Sequence, residues 1–382
     1  MKWGKGTLSI LVGAVCALAV TLPGGAAHAA APEEERPATL AALRAFHSAA
    51  GPGAAVHAGD SSGSWTLSSG TGTFGADRPI AADEHFRAGS QTKTFVATVV
   101  LQLAEEGRVS LDAPIEGYLP GVVTGNGHDG TRITVRQLLQ HISGIGAYGP
   151  APGIETPPAE PDGTYALAEL VRHGLNRMPA VEPGTSFIYS NINYWILGML
   201  VEELTGTPVH RAVTERVIEP LGLERTVFPA PGERALPEPA VNGYHGARVG
   251  PVQFWTPVIS YDPSLFSSAA AMVSTLEDLT SFYRALTAGE ILSPASLAEM
   301  RDVWPVGEAG YGLGLSRYRE LSCGGTAWGH DGLLLGYMTY TLVTDDGRHA
   351  SVVTNAYFQV NTPRAQLHAL LDTALCESGA DR

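Results

Sequence analysis

Ser90 and Lys93 stand three residues apart in Phe86-Arg87-Ala88-Gly89-Ser90-Gln91-Thr92-Lys93, directly ahead of an apolar run at Phe95, Val96, Val99, Val100 and Leu103. That run has helical periodicity, and side chains three apart on a helix share a face. The pattern predicts a hydroxyl and an amine side by side at a helix start, where the helix dipole is positive. Such a pair is a nucleophile beside a base, provided that the amine can lose its proton. Lysine can do so when desolvated, whereas arginine stays charged. The sequence holds three lysines, Lys2, Lys5 and Lys93. The first two fall in a stretch that reads as a removable leader, so a processed chain would keep Lys93 alone.

Two further segments could complete a site. Tyr189-Ser190-Asn191 offers a phenol and a carboxamide; His330-Asp331-Gly332, followed by Leu333, offers an imidazole beside a glycine. Acyl transfer needs a nucleophile, a proton acceptor within reach and donors aimed at the developing oxyanion. Taken singly, each segment also fits an ordinary role: Tyr189 as a core aromatic, Asn191 as a helix cap, His330 as a surface histidine. Metal and phosphate chemistry lack their signatures. There is no His-Glu-x-x-His and no Gly-Lys-Ser/Thr loop, and the 12 histidines are scattered without ligand spacing. Neither a metal nor a cofactor is expected.

Composition bounds the rest. The chain has 382 residues, 44% hydrophobic and 16% charged, with 24 basic and 38 acidic side chains and a net charge of −14. That acidity argues against nucleic acid or an anionic membrane as a partner. Residues 1–29 read as a signal peptide: Lys2 and Lys5 as the basic region, Leu8 to Leu22 as the apolar region, and Ala27-His28-Ala29 as the cleavage site. The apolar run, which contains Cys16, is short for a membrane span. The expected product is secreted. Cys323 and Cys376 then remain, and an even pair in an oxidising compartment reads as a disulfide, two buried thiols being the alternative.

The elements that must position these residues change along the chain. An amphipathic helix at 38–50, strands near 54–57 and 65–67, and the helix behind Ser90 come first. From Leu111 short helices alternate with Pro/Gly-rich loops, including a surface loop over 149–161, and residues 229–264 show no clear pattern. A helix at 276–286, a strand at 311–315, a hairpin over 336–355 and a helix at 362–375 follow. Strands at both ends and helices between them predict an α/β fold. It would be an antiparallel sheet flanked by helices, formed by residues 30–106 and 265–378, with a mainly helical domain at 107–264 inserted.

Together, in this order and spacing, the three segments resemble the three-part signature of penicillin-recognising serine enzymes. Ile133 to Gly144 (ITVRQLLQHISG), Pro183-Gly184-Thr185 and Tyr311-Gly312-Leu313-Gly314-Leu315 are similar to the class C β-lactamase and DD-peptidase branch. Leu321-Ser322-Cys323-Gly324 is most like secreted actinomycete D-alanyl-D-alanine carboxypeptidases. The resemblance implies a β-lactamase/transpeptidase-like fold, Ser90 as the acylated nucleophile and Lys93 as its base. It makes Tyr189 the general acid/base and Asn191 the amide that holds Lys93 and the substrate. The Ser90 and Leu333 N–H groups would form the oxyanion hole. His330 would line the far wall, and Gly332 would let substrate backbone approach. Arg317 would bind a substrate carboxylate, and Phe266 would stand where those enzymes carry a tryptophan. It further implies D-alanyl peptides, or related esters and amides, as substrates, β-lactams as inhibitors, and a monomer. A second position departs as well: Asp331 replaces a threonine that bonds the substrate carboxylate. That substitution brings in esterase, amidase or D-aminopeptidase activity as the alternative; a β-lactamase and a non-catalytic penicillin-binding sensor are further ones on the same scaffold.

Overall fold

The computed structural model describes Met1 and residues 36–148, 156–249, 252–258, 260–357 and 362–378. The expected leader, with Cys16, and most of the 149–161 loop lie outside these residues.

In chain order the elements are α1 (Pro37–Ala49), β1 (Gly53–Asp60), β2 (Gly63–Gly70), β3 (Phe86–Arg87) and α2 (Thr92–Glu105). There follow β4 (Thr124–Gly125), β5 (His128–Asp129), α3 (Val135–Leu139), α4 (Leu167–Gly174), α5 (Asn191–Thr205) and α6 (Val209–Val213). Next come β6 (Tyr244–Val249), β7 (Val252–Pro257), α7 (Ser267–Ala270), β8 (Val273–Ser274), α8 (Leu276–Ala288) and α9 (Pro294–Met300). The chain closes with β9 (Trp304–Val306), β10 (Ala309–Tyr311), β11 (Ser316–Arg317), β12 (Ala327–Leu334), β13 (Tyr337–Thr344), β14 (His349–Thr354) and α10 (Arg364–Glu377).

Eight strands form one sheet in the order β2-β1-β14-β13-β12-β11-β10-β9, and every pairing in it is antiparallel. Alternation along each strand sends side chains to two separate cores. Ala55, Trp328, Val343 and Val353 face α2, α5 and α8, while Ala54, Val56, Leu342 and Val352 face α1 and α10. β13 and β14 are buried at every residue, as strands covered on both faces must be.

Local chemistry sets the helices. α1 opens with Pro37 in its first turn, where a missing N–H costs nothing, and turns Leu40, Leu43 and Phe46 inward. α8 is capped by Thr275, whose hydroxyl accepts from the Asp278 N–H, and stops at Gly289 in the left-handed region. α2 is different: nearly every residue from Thr92 to Leu103 is buried. A helix apolar all round belongs inside. Phe95, Val99, Val100 and Leu103 are fully buried, and each contributes on the order of 2 kcal/mol.

Two segments read differently in three dimensions, and two short glycine motifs form no site. The unpatterned 229–264 stretch contains the β6–β7 hairpin, whose outward residues leave little alternation to detect. The strand expected over 311–315 is broken, because Gly314 at φ +75 turns the chain between β10 and β11. Gly59-Asp60-Ser61-Ser62-Gly63 spells a Gly-x-Ser-x-Gly nucleophile motif but forms the β1–β2 hairpin turn. Gly70-Thr71-Gly72-Thr73-Phe74-Gly75, with dinucleotide-loop glycine spacing, has no helix after it.

Candidate active site

Ser90 lies in a tight 3-10 turn, Gly89–Gln91, one step ahead of α2 rather than in its first α-turn. The turn is anchored from behind: Thr92 Oγ1 donates to the Gly89 carbonyl at 2.7 Å and accepts from the Met272 N–H at 3.1 Å. β12 presses against it from the front. A side chain at Gly332 would place its Cβ 2.0 Å from the Ala88 carbonyl oxygen, and one at Gly89 would lie 3.1 Å from the Leu333 nitrogen. Besides the room for substrate expected of it, the bare α-carbon of Gly332 makes room for the protein's own Ala88 carbonyl. The same contact sets the Leu333 N–H beside the Ser90 turn.

Lys93 is fully buried. Its Nζ lies 2.8 Å from Asn191 Oδ1, 2.8 Å from the Ala269 carbonyl oxygen and 3.1 Å from Ser90 Oγ. Burial pulls its pKa down from 10.5 to about 7, against a smaller opposing pull from Asp331. A neutral amine has two N–H bonds and one lone pair. The carboxamide and carbonyl oxygens can only accept, so they take both N–H groups. The lone pair is left facing the Ser90 hydroxyl, which is the arrangement a general base requires.

Tyr189 stacks its ring near the same amine, with Nζ 4.8 Å from the ring centroid. Burial, then Asp331, hold its phenol well above the ordinary tyrosine pKa, while a hydrogen bond with Ser90 acts in the opposite sense. It is therefore a protonated phenol at neutral pH, suited to donate. Asn191 opens α5, but the residue before it makes no side-chain cap bond, and the Asn191 carboxamide goes to Lys93. The helix-cap alternative thus fails.

His330 is fully buried, not a surface histidine. Its Nδ1 sits 2.6 Å from the Asp331 carbonyl oxygen and its Nε2 2.9 Å from the Tyr311 hydroxyl. A carbonyl can only accept, so Nδ1 carries the proton and Nε2 accepts from Tyr311. Burial lowers its pKa, and Asp331 and the backbone bond act in the opposite sense.

The far end of the site holds a cation that the sequence pattern missed. Asp331 is partly exposed, and its Oδ2 lies 3.5 Å from Nη1 of Arg364 at the start of α10. Arg317, the arginine expected to serve there, is half-buried on β11, paired in register with Trp328 and Gly310. Phe266 packs in a buried apolar cluster with Ala270 and Leu334, flanked by Tyr261, and its carbonyl accepts from Trp195 Nε1 at 2.9 Å. Phe266 and Ala269 thus belong to one short segment, which supplies both an apolar wall and the carbonyl on Lys93. No cluster of metal-ligating side chains occurs among the described residues.

The profile of the beta-lactamase family matches residues 29–373. The chain belongs to the beta-lactamase family. Penicillin-binding protein 4 of Amycolatopsis lactamdurans is 30% identical over 334 residues, 82% of this chain and 83% of that one. Esterase EstB of Burkholderia gladioli is 29% identical over 256 residues, covering 59% of this family member and 62% of the esterase. A D-stereospecific amidohydrolase from Streptomyces sp. superimposes with a TM-score of 0.76 at 38% identity, over 87% of this chain and 98% of that one. The family and its serine-hydrolase scaffold are those expected from the three segments, and Cys323 and Cys376 are joined as a disulfide with their Cα atoms 5.6 Å apart.

Proposed function

We propose that this protein is an exported serine hydrolase that cleaves amide or ester bonds of D-residue acyl donors through an acyl-enzyme on Ser90. The observation that carries the reading is the buried Lys93 amine, its pKa drawn down to about 7, 2.8 Å from each of two oxygens that can only accept and 3.1 Å from Ser90 Oγ. Lys93 takes the hydroxyl proton as Ser90 Oγ bonds to the substrate carbonyl carbon. The oxyanion is met by the Ser90 and Leu333 N–H groups. The carbon–nitrogen or carbon–oxygen bond then breaks, and Tyr189 gives its proton to the departing amine or alcohol. Water enters by the same route in reverse and releases the acid.

Asp331 favours neutral leaving groups over a C-terminal carboxylate, because two negative charges a few ångströms apart repel. The 38% identity to a D-stereospecific amidohydrolase supports that preference. The second reading is a D-alanyl-D-alanine carboxypeptidase, supported by likeness to a penicillin-binding protein. It needs Arg364 to offset Asp331. Hydrolysis of one D-Ala-D-Ala peptide with a free and with an amidated C-terminus separates them. The amide reading expects the amidated form to be cleaved faster, and faster turnover of the free acid supports the carboxypeptidase. Labelling by a fluorescent penicillin, lost in Ser90→Ala, tests the acyl-enzyme itself. Export through a leader cleaved near Ala29, a helical insertion over 107–264 and a monomeric state complete the proposal. The disulfide supports the first of these.

A further inference from the structure

His141 is buried behind Tyr189 and belongs to no step described above. Its backbone adopts φ +59, in the left-handed region. Its ring lies 4.3 Å from that of Tyr189, 5.0 Å from that of Tyr311 and 5.2 Å from that of Tyr194. Its Nδ1 is met by two donors, the Ser190 N–H at 3.2 Å and the Asn193 carboxamide nitrogen at 3.1 Å. The Asn193 assignment follows from its other end, since Oδ1 accepts from the Ser143 hydroxyl at 2.7 Å. Ser143 in turn accepts from the Ile145 N–H at 3.2 Å. The His141 carbonyl takes the Ile188 N–H at 2.8 Å.

Every bond in this chain of contacts runs one way, toward Nδ1 as an acceptor. A proton on Nδ1 would face two N–H donors, so the ring carries its hydrogen on Nε2, which has no hydrogen-bond partner. The residues fixed by the two His141 acceptors, Ile188 and Ser190, flank Tyr189 on either side. We propose that His141 is a positioning residue: its Nδ1 and carbonyl clamp the backbone around Tyr189 and aim the phenol at the departing group. The unusual backbone conformation at His141 follows from this, because one residue must present both its carbonyl and its ring to the same neighbouring segment.

The inference rests on Tyr189 as the proton donor to the leaving group, and the test separates the two. An amine leaving group needs that proton, whereas p-nitrophenolate departs without it. D-alanine amide and p-nitrophenyl acetate are therefore the two probes. Asparagine tolerates the left-handed region and places a carboxamide oxygen close to where Nδ1 lies; glutamine carries its oxygen one bond further out.

In His141→Leu, kcat on the amide is expected to fall at least 30-fold, while ester acylation, read as the rate of the first p-nitrophenolate burst before any water attack, stays within about 3-fold. His141→Asn is expected to recover the amide rate to within about 5-fold, and His141→Gln is not. Equal losses on both probes, or equal recovery by the two carboxamides, would overturn the proposal. If His141→Leu fails to fold, the asparagine–glutamine contrast decides alone. Tyr189→Phe is the control: if it leaves the amide-to-ester ratio unchanged, the role of Tyr189 fails; if it lowers that ratio and the His141 variants do not, only the clamp fails.

Discussion

A lysine whose pKa is pulled down to about 7 gives the enzyme a rising limb of activity near neutrality. Below that pH the amine is protonated, its lone pair is gone, and Ser90 keeps its proton. We expect kcat/KM to fall tenfold per pH unit on the acid side of about 7, and a profile flat down to pH 5 would exclude Lys93 as the base. Lys93→Arg is expected to lose at least a hundredfold, because a guanidinium holds its proton. Asp331→Thr is expected to raise the ratio of free-acid to amidated D-Ala-D-Ala hydrolysis about tenfold, by removing one negative charge from the leaving-group side. Competition between the two peptides measures that ratio. At this scale the sequence was partly legible. Ser90 and Lys93 announced themselves because one lysine follows one serine at helical spacing. The Ala269 carbonyl on Lys93 and the Arg364 guanidinium on Asp331 did not. Both come from elements far away in the chain, and a backbone carbonyl has no residue type to read. His141 was visible as part of a motif, but its task depends on which donors fold against its ring.

The Ser90 turn and β12 touch through backbone, not side chains. Gly332→Ala is therefore expected to disturb acylation more than any loss of chemistry at that position implies, since the new methyl would lie against the Ala88 carbonyl. Either β12 or the Ser90 turn must shift, carrying the Leu333 N–H away from the oxyanion. We expect penicillin acylation to slow at least tenfold, with thermal unfolding lowered by a few degrees. Unchanged acylation would mean that the two elements have slack between them. Helices were the easier elements to read, because α2, α5 and α8 carry long apolar patterns with clear stops at Gly206 and Gly289. The β6–β7 hairpin escaped because most of the described residues of β7 are exposed and polar–apolar alternation has nothing to register. Two-residue strands such as β3 and β8 exist only by virtue of each other, and no local signal could have given them.

The architecture as a whole followed from the order of elements, with β1 and β2 completing a sheet begun by strands more than 230 residues later. Two long-range devices set its stability. The Cys323–Cys376 bridge closes a separation of 53 residues and pins β12's approach to α10. Chain-entropy reasoning gives it roughly 4 kcal/mol, so the double Cys→Ser variant should show a lower urea midpoint and, with the unfolded chain released, a larger m-value. Burying Lys93 works in the opposite direction. Between pH 7 and 10.5 the unfolded lysine stays protonated while the folded one does not, so the unfolded state binds more protons and stability rises with pH. Relative to Lys93→Met, the wild type should gain unfolding free energy across that window and level off above it. Urea titrations at pH 7 and pH 10 measure the difference, and a pH-independent gap would mean that the folded amine keeps its charge.

The scarcity of lysine has a practical side. Apart from the buried Lys93, the only lysines lie within the first five residues. α1, the first described helix, packs with α10 on the face of the sheet opposite α2. Coupling to an amine-reactive surface would thus run through residues ahead of α1 whether or not a leader is removed, and not through the side chains around Ser90.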